Sequence, residues 1–513
     1  MGHDRDDDVA DDAEGGAAGG DHDGAEDVTE QVHAATALLE ALVANRGLLA
    51  PIDDELRERF LIAAGQVSRP DKRARKALAR ARQRGQKRER KAQDQALLNQ
   101  TGIRQLRENP IFQTPRHQPL LAAPEAVSDP RGEVAEERVC YTCRARYTEV
   151  HFFYDQLCRP CGDLNFAKRS PTADLRGRVA LVTGARVKIG YQAAILLLRA
   201  GCEVHVATRF PKDAARRYAA EPDFAEWGQR VHIHGIDLRH TPSVEALCRR
   251  LLQDLTRLDF IINNACQTVR RPPKFYEHML ELELQAGGLA PEAQRLLAGG
   301  VGTGGELVAG GEPGSPAALS QFELVPEDAE RGHHLFPAGE LDADLQQVDL
   351  RRVNSWRLKL ADVSAVELLE VHLVNAVAPF IINARLKPLM QAVPTADKHI
   401  VNVSAMEGQF YRIFKTDRHP HTNMAKASLN MMTRTSALDY IEDGIHMNSV
   451  DTGWVTDEDP AHHAELKREI HRFHPPLDIV DGAARIVDPI FHGISTGEHV
   501  WGQFLKDYKP TDW

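Results

Sequence analysis

The sequence of 513 residues is poor in cysteine and has no long apolar run. Its seven cysteines are odd in number and unevenly spaced, which argues against a secreted domain built on disulfides. No stretch approaches the roughly 20 consecutive apolar residues of a membrane helix, and the N-terminus has neither the cationic start nor the apolar run of a signal peptide. These absences predict a soluble, cytoplasmic protein with no membrane partner.

Charge is present in both signs but is unevenly distributed. Residues 1–27 hold eleven acids and one arginine, whereas residues 69–91 hold twelve Lys or Arg and two acids. These segments cancel, so the rest of the chain carries the formal net charge of −11. The length and the 42% hydrophobic share predict two or three domains with a buried core.

The first third of the sequence changes texture several times. Residues 1–27 have almost no large apolar groups, which predicts a disordered acidic tail. Apolar residues at helical spacing predict a helical hairpin over 28–68, followed by a basic helical segment over 69–107 and a proline-rich linker over 108–135. We favour a solvated linker role for the basic run, with nucleic acid or an acidic protein as the alternative partner.

Four cysteines form the strongest metal signal of the chain. Cys140 and Cys143 are separated by two residues, as are Cys158 and Cys161. Two such turns let four thiolates complete a tetrahedral site with no open position. The spacing therefore predicts a small module over 136–170 that holds structural Zn²⁺, with iron as the alternative metal.

From Arg178 onward, β-branched runs alternate with helical patterns. This texture predicts an α/β fold, a doubly wound parallel sheet covered by helices on both faces. A Gly-rich stretch over 285–319 predicts a flexible insertion in this domain, spanning about 268–350. The predicted strands are Val179–Val182, Val204–Ala207, Val231–Ile236, Phe260–Ile262, Ile400–Val403 and Met447–Val450.

A glycine-containing turn over 183–190 follows the first of these strands and opens a helix. Such a turn lets backbone amides approach a pyrophosphate at the helix N-terminus. Further motifs follow in a fixed order: Asp237-Leu238, Asn263-Asn264-Ala265, Asn375, Lys426 and Gly453. Over roughly 176–508 this set resembles the short-chain dehydrogenase/reductase family, which implies a Rossmann-like domain over 171–513 that binds NAD or NADP and forms a dimer or tetramer.

The resemblance also implies roles for individual residues. Gly184 and Gly190 are expected to shape the phosphate turn, Asp237 to touch the adenine and Asn263 to lie along the cofactor. Lys188 stands where the family has its middle glycine. The full set of predicted cofactor-binding residues is Thr183, Gly184, Arg186, Lys188, Ile189, Gly190, Arg209, Asp237, Leu238, Asn263, Ala265, Lys426 and Gly453.

The charge near the second strand favours NADP(H) over NAD. An acid at the end of this strand would bind the ribose 2′-hydroxyl and repel a 2′-phosphate. The strand instead ends in Ala207-Thr208-Arg209, and Arg186 lies in the glycine turn. Two cations without a carboxylate predict a site for the extra phosphate.

The family's catalytic pattern is only partly present. The resemblance implies that Lys426 binds the nicotinamide ribose and that Asn375 holds a relay water. The family's tyrosine is replaced by Thr422, whose aliphatic hydroxyl is a far poorer proton donor than a phenol. The family's serine falls on Ala405, and Ser404 substitutes only if the strand end is shifted.

Three interpretations follow from this broken pattern. We favour an atypical reductase that acts on a carbonyl or alcohol substrate, with Tyr411 as the substitute acid and His419 or His421 as other donors. The second is a catalytically impaired NADP(H)-binding protein that serves as a sensor or scaffold. The third is a nucleic-acid or protein adaptor in which the sheet domain is a platform.

Overall fold

The computed structural model describes most of the chain in two compact units, Met1–Arg90 and Lys91–Trp513. The boundary between the units falls within one long helix. The predicted acidic tail lies largely outside the described residues, as does most of the Gly-rich stretch. The described residues are 21–115, 131–285, 288–297, 315–329, 332, 334–410, 415–456, 458–463 and 474–513.

The first unit is helical. It contains α1 (Asp21–Ala44), α2 (Asp54–Ser68) and the start of α3 (Lys72–Asn99). The side chain of Asp53 caps α2 by accepting a 2.9 Å hydrogen bond from the N–H of Leu56. Helix α1 begins inside the segment predicted to be disordered, because residues that precede a nucleated helix join it at little cost.

A small four-cysteine module opens the second unit. It is built from α4 (Gly102–Glu108), the antiparallel pair β1 (Glu133–Val139) and β2 (Arg146–Glu149), and α5 (Arg159–Lys168). The end of α3 packs on this pair, since Leu98 shares an apolar cluster with Val134 and Val150.

An eight-stranded sheet forms the core of the second unit. Its order is β10-β9-β8-β7-β6-β3-β4-β5, and only the edge pair β9–β10 is antiparallel. The predicted doubly wound parallel sheet is confirmed, and each predicted strand matches an observed strand to within two residues at either end. The strands are β3 (Val179–Thr183), β4 (Glu203–Thr208), β5 (Val231–Gly235), β6 (Phe260–Asn263), β7 (Lys398–Ser404), β8 (Ile445–Asp451), β9 (Phe504–Lys506) and β10 (Lys509–Thr511).

Helices cover both faces of this sheet. One face buries α6 and α16, and the other buries α9, α14 and α15, which gives two apolar cores. Each fully buried aliphatic side chain contributes about 1.5–3 kcal/mol to that packing. The helices are α6 (Lys188–Arg199), α7 (Pro211–Ala219), α8 (Phe224–Trp227), α9 (Thr241–Asp254), α10 (Pro273–Leu284), α11 (Pro291–Gln294), α12 (Pro316–Leu319), α13 (Ala365–His372), α14 (Ala378–Gln391), α15 (Pro420–Ile441) and α16 (Ile479–Thr496).

One helical stretch, Ala365–Gln391, is long and apolar enough to cross a membrane by length and composition alone. It joins α13 and α14 through the π-helical turn Leu373–Val377. In this fold Ile382 and Leu386 of α14 are fully buried in the core beside the sheet. A core helix of this kind passes the same length and composition test, so the stretch is weak evidence for a membrane span.

The insertion after β6 is more ordered than the sequence predicts. Its described part includes α10 to α12, and Phe275, Met279 and Phe336 form an apolar cluster with Phe210, which lies just before α7. The Gly-rich composition describes only the middle of the insertion, where residues 298–314 lie outside the described residues. The aromatic anchors on either side fold back onto the sheet domain.

Candidate active site at the carboxyl edge of the sheet

A cleft of about 1270 Å³ runs along the carboxyl ends of the parallel strands. This is where open α/β sheets bind ligands, and the volume exceeds that of an ordinary small-molecule pocket. Most predicted site residues lie together in its wall. Those that line it are Gly184, Arg186, Lys188, Ile189, Gly190, Arg209, Asp237, Leu238, Ala265, Ser404, Thr422, Lys426 and Gly453.

The turn between β3 and α6 requires glycine at two positions. Gly184 has a φ of +68°, and a Cβ there would lie 2.7 Å from the Cα of Ala265. A Cβ on Gly190 would lie 2.6 Å from the carbonyl oxygen of Gly184 and would run into the amide of Asn264. The turn is therefore packed tightly against the end of β6, and its residues line the cleft at the start of a helix.

Lys188 occupies the middle position of this turn in a left-handed conformation, with a φ of 56°. A side chain at such a φ costs about 1–2 kcal/mol, which is why glycine is the usual residue there. Burial alone would lower the pKa of Lys188, but the carboxylates of Glu458, Asp344 and Asp342 outweigh burial and raise the pKa. The lysine stays charged beside the phosphate turn.

The two arginines predicted to hold an extra phosphate differ in availability. Arg186 is buried and donates to Asp213 at 2.6 Å and to Gln346 at 3.2 Å, so its guanidinium is already paired within the protein, and a contact with a phosphate stays a prediction. Arg209 donates to the hydroxyl of Tyr276 at 2.9 Å, and no carboxylate among the described residues pairs with it. Arg209 is thus the cation that the end of β4 presents to the cleft.

Three residues that were predicted to contact the cofactor are hydrogen-bonded to other groups of the protein. The carboxylate of Asp237 lines the cleft but accepts hydrogen bonds from Arg239; although burial would raise its pKa, this guanidinium holds the pKa below the usual value. Asn263 points away from the cleft and donates to Asn383 and Asn402, both at 2.8 Å. The hydroxyl of Thr183 accepts from the N–H of Ala265 at 3.1 Å and ties β3 to β6.

Asn264 is a site residue that the sequence reasoning missed. Its amide donates to the carbonyls of Thr183 and Gly184 at 3.2 and 3.1 Å and lines the cleft. Neighbouring positions alternate across a strand end, so if Asn263 faces the interior, Asn264 faces the turn. This alternation could have predicted the position of Asn264 from the sequence alone.

Lys426, predicted to bind the nicotinamide ribose, lines the cleft. Its Nζ donates to the carbonyl of Val403 at 2.7 Å, and its side chain is 8% exposed. Four residues earlier, the Thr422 hydroxyl donates to the His419 carbonyl at 2.8 Å. His419 also lines the cleft and stacks on Trp356 at 3.9 Å between ring centroids.

The remaining predicted catalytic groups are less accessible than Lys426 to a ligand in the cleft. Asn375 is buried, and its Oδ1 accepts from the N–H of Gln267 at 2.7 Å, so its side chain does not line the cleft as a water holder. The hydroxyl of Ser404 is buried without a hydrogen-bond partner among the described residues, and Ala405 follows it in extended backbone. His421 pairs with Glu367 at 3.2 Å. Tyr411 lies outside the described residues.

Asp451, the last residue of β8, is a second group that the sequence reasoning missed. It lines the cleft at the strand end, opposite Ser404 in register. Burial, reinforced by the charge of Glu407, raises the pKa of Asp451 to about 6. A buried carboxyl group that exchanges its proton near neutral pH is suited to acid–base chemistry.

Three cations of the insertion are already paired. Arg270 donates to both carboxylate oxygens of Asp328 at 2.6 and 2.7 Å, and Arg271 pairs with Asp349. Lys274 pairs with Glu277 one turn along α10. These ion pairs therefore hold the insertion beside the cleft.

The four cysteines meet in a single cluster. Cys140 and Cys143 lie in the turn between β1 and β2, and Cys158 and Cys161 lie at the start of α5. Their sulfur atoms are all within 4.8 Å of one another, and the Sγ atoms of Cys143 and Cys158 are 3.6 Å apart. Four convergent sulfurs are the donor set of a closed tetrahedral site.

This module reaches the cleft. Tyr141, between the first two cysteines, lines the cleft, and its hydroxyl accepts from the N–H of Trp454 at 2.9 Å. Arg169, at the end of α5, donates to Asp478 at 2.7 Å and to Asp481 at 2.9 Å at the start of α16. These contacts join the module to the strand-end loop that carries Gly453 and to the start of α16.

Two family profiles match the sheet domain. Residues 178–282 match the profile described as short chain dehydrogenase. Residues 352–477 match the profile described as enoyl-(acyl carrier protein) reductase. The gap between them is the insertion, and together they span the glycine turn and the retained lysine.

Several known proteins are similar to this chain. Uncharacterized protein R665 of Acanthamoeba polyphaga mimivirus is 31% identical over 372 residues, which cover 69% of this chain and 71% of that protein. The short-chain dehydrogenase/reductase pyiH of Pyricularia grisea is 26% identical over 200 residues, covering 36% and 81% respectively. A crystal structure of a short chain dehydrogenase from Burkholderia cenocepacia in complex with NADP covers 65% of this chain and 97% of its own, at 17% identity and a TM-score of 0.41. With its strand order, glycine turn and matched profiles, the chain belongs to the short-chain dehydrogenase/reductase family.

Proposed function

We propose that the chain is an NADP(H)-dependent oxidoreductase that transfers hydride to or from a carbonyl or alcohol substrate. The observation that carries the proposal is that the glycine turn, Arg209 and Lys426 all line one cleft. The turn offers backbone amides to a pyrophosphate, and Arg209 offers a guanidinium to a ribose phosphate. The cleft volume accommodates a dinucleotide and a small substrate together.

When bound, the nicotinamide supplies or accepts the hydride. The chain has to supply the proton, and the family's tyrosine is absent. We assign this step to Asp451: in the reducing direction its carboxyl group gives a proton to the substrate oxygen as the carbon gains hydride, and solvent then restores the proton. Lys426, anchored on the Val403 carbonyl, orients the ribose through its remaining N–H donors.

The experiment is NADPH oxidation by the purified full chain against a panel of aldehydes and ketones, with NADPH binding measured in parallel. Turnover that is lost in Asp451→Asn, while NADPH binding is kept, supports the assignment. Tyr411→Phe and His419→Gln are the comparison variants, because both groups were predicted as donors. Loss of turnover in Tyr411→Phe alone would transfer the role to that phenol.

The second candidate is an NADP(H)-binding protein that does not turn over. The observation that favours it is that the Thr422 hydroxyl is bonded to the His419 carbonyl, with Ala405 in place of the serine. Binding of NADPH without oxidation by any carbonyl of the panel would favour this sensor or scaffold role.

We also propose that the four cysteines hold structural Zn²⁺. The convergence of four sulfur atoms within 4.8 Å is the supporting observation, and a four-sulfur shell leaves no position for substrate. The ion would stabilise the module that braces Trp454, and metal analysis of the purified chain tests its identity against iron.

A further inference from the structure

Three histidines meet at the amino-end edge of the sheet, opposite the cleft. His399 and His446 are the second residues of β7 and β8 and are paired in register, and His499 lies between α16 and β9. One ring nitrogen of each lies within 4.8 Å of the others. Nε2 of His399 and Nδ1 of His499 are 3.0 Å apart. Neither the cofactor cleft nor the cysteine cluster uses these side chains.

The cluster is built into the interior. His399 is 0% exposed and His446 is 7% exposed, whereas His499 is half-buried and gives access from solvent. Nδ1 of His446 lies 3.1 Å from the carbonyl oxygen of Lys398, which assigns the ring proton to Nδ1 and leaves a lone pair on Nε2. A backbone carbonyl bonded to the outer nitrogen is the usual support of a metal-binding histidine.

The helix beside the cluster packs closely on the ring nitrogens. Gly493 of α16 faces them, and a Cβ at this position would run into Nδ1 of His499 and lie 3.1 Å from Nε2 of His399. A side chain at position 493 would therefore push the rings out of this arrangement. Burial also lowers the pKa of each of the three imidazoles, which favours the neutral ring that a metal ion requires.

We propose that His399, His446 and His499 form a binding site for one divalent transition-metal ion of the Zn²⁺ class. Three neutral imidazoles are the donor set such ions prefer, and the half-buried side of His499 leaves a fourth position open to water. The ligands need only small shifts to reach ordinary Zn–N distances of about 2.0–2.1 Å. Because the site lies at the opposite sheet edge, it does not depend on the proposed oxidoreductase function.

The test is metal uptake by the full chain, using Zn²⁺ for stoichiometry and Co²⁺ for spectroscopy after weakly held metal has been stripped with EDTA. The wild type is expected to bind one more equivalent than His499→Gln. Co²⁺ in this site gives ligand-field bands without the sulfur-to-cobalt charge transfer that marks the cysteine cluster. His492→Gln, an exposed histidine beside Gly493, is the matched control and should bind as the wild type does.

A second variant leaves all three ligands in place. Gly493→Ala puts a methyl group between the helix and the ring nitrogens, and is expected to weaken Zn²⁺ binding at least tenfold. Thermal unfolding of the metal-free proteins shows whether each variant is folded. Equal uptake by folded wild type and His499→Gln, or a second Co²⁺ equivalent that shows sulfur charge transfer, would overturn the proposal.

Discussion

The hydroxyl of Tyr141 accepts a 2.9 Å hydrogen bond from the backbone N–H of Trp454, across 313 positions of the sequence. Tyr141 lies inside the cysteine cluster, and Trp454 follows Gly453 at the end of β8. The module and the cleft wall are therefore joined at the strand that also carries Asp451. Changes in the module should therefore alter ligand binding in the cleft.

Loss of the Zn²⁺ proposed for the module should weaken cofactor binding. Cys158→Ser removes one of the four sulfur ligands and is expected to lose the bound Zn²⁺, lower the unfolding temperature and raise the Kd for NADPH. Metal analysis, thermal unfolding and NADPH titration measure the three effects. An unchanged Kd in the metal-free variant would show that the module is only attached to the domain.

Tyr141→Phe isolates the single contact while keeping the metal ligands. An N–H that loses its acceptor costs about 1 kcal/mol, which is roughly a fivefold rise in the Kd for NADPH. Tyr147→Phe is the matched control, since the Tyr147 hydroxyl donates to the Asp155 carbonyl within the module and does not line the cleft. The two variants should differ in cofactor affinity but not in metal content.

Arg209 should decide between the two nicotinamide cofactors. Arg209→Ala removes the guanidinium that follows β4 and has no carboxylate partner among the described residues. It is expected to weaken NADPH binding tenfold or more, because charge-assisted hydrogen bonds contribute about 1.5–3 kcal/mol. Binding of NADH should change little. Arg249→Ala, an exposed arginine of α9, serves as the control. Equal losses for NADPH and NADH would contradict a role at the extra phosphate.

The left-handed backbone at position 188 predicts a difference between two variants that both remove the charge. Lys188→Gly should be about 1 kcal/mol more stable than Lys188→Ala, since only glycine adopts this φ without a steric penalty. Urea unfolding of both variants measures the difference. Equal stability would mean that the turn relaxes when the lysine is lost.

Asp451 makes stability depend on pH. Its folded-state pKa of about 6 exceeds the ordinary value of 3.8, so the folded chain binds the proton more tightly than the unfolded chain. The contribution of Asp451 to the free energy of unfolding is therefore fully present below about pH 4 and is lost as pH rises through 6. The change amounts to about 3 kcal/mol.

Asp451→Asn cannot ionise at this position. Above pH 6 the variant should have a higher free energy of unfolding than the wild type, and this difference should disappear towards pH 4. Urea unfolding of both proteins across this range provides the measurement. A difference in free energy of unfolding that does not change with pH would indicate that burial does not keep the carboxyl group protonated.

The sequence pattern predicts the sheet well because each strand is a local run of buried β-branched residues. It also places Lys426 and the glycine turn, whose spacing is fixed by the strand–helix units. Strand alternation would have separated Asn263 from Asn264, and an acid ending a buried strand would have marked Asp451. Both Asn264 and Asp451 could therefore have been identified from the strand pattern, although the resemblance to the family gave neither of them a role.

Other features depend on contacts between distant segments. The pairing of Arg186 with Asp213, and the folding of the insertion around Phe275, follow from tertiary packing rather than local pattern. The contact of Tyr141 with Trp454 joins two domains that the sequence predicts separately. Such contacts decide which predicted cations stay available to a ligand.

Parallel titration of the wild-type chain with NADPH and NADH, followed by thermal shift, shows whether the cleft binds a dinucleotide through its extra phosphate. We expect NADPH to raise the unfolding temperature at concentrations where NADH has little effect. Stabilisation by neither cofactor, or by NADH alone, would rule out this mode of binding.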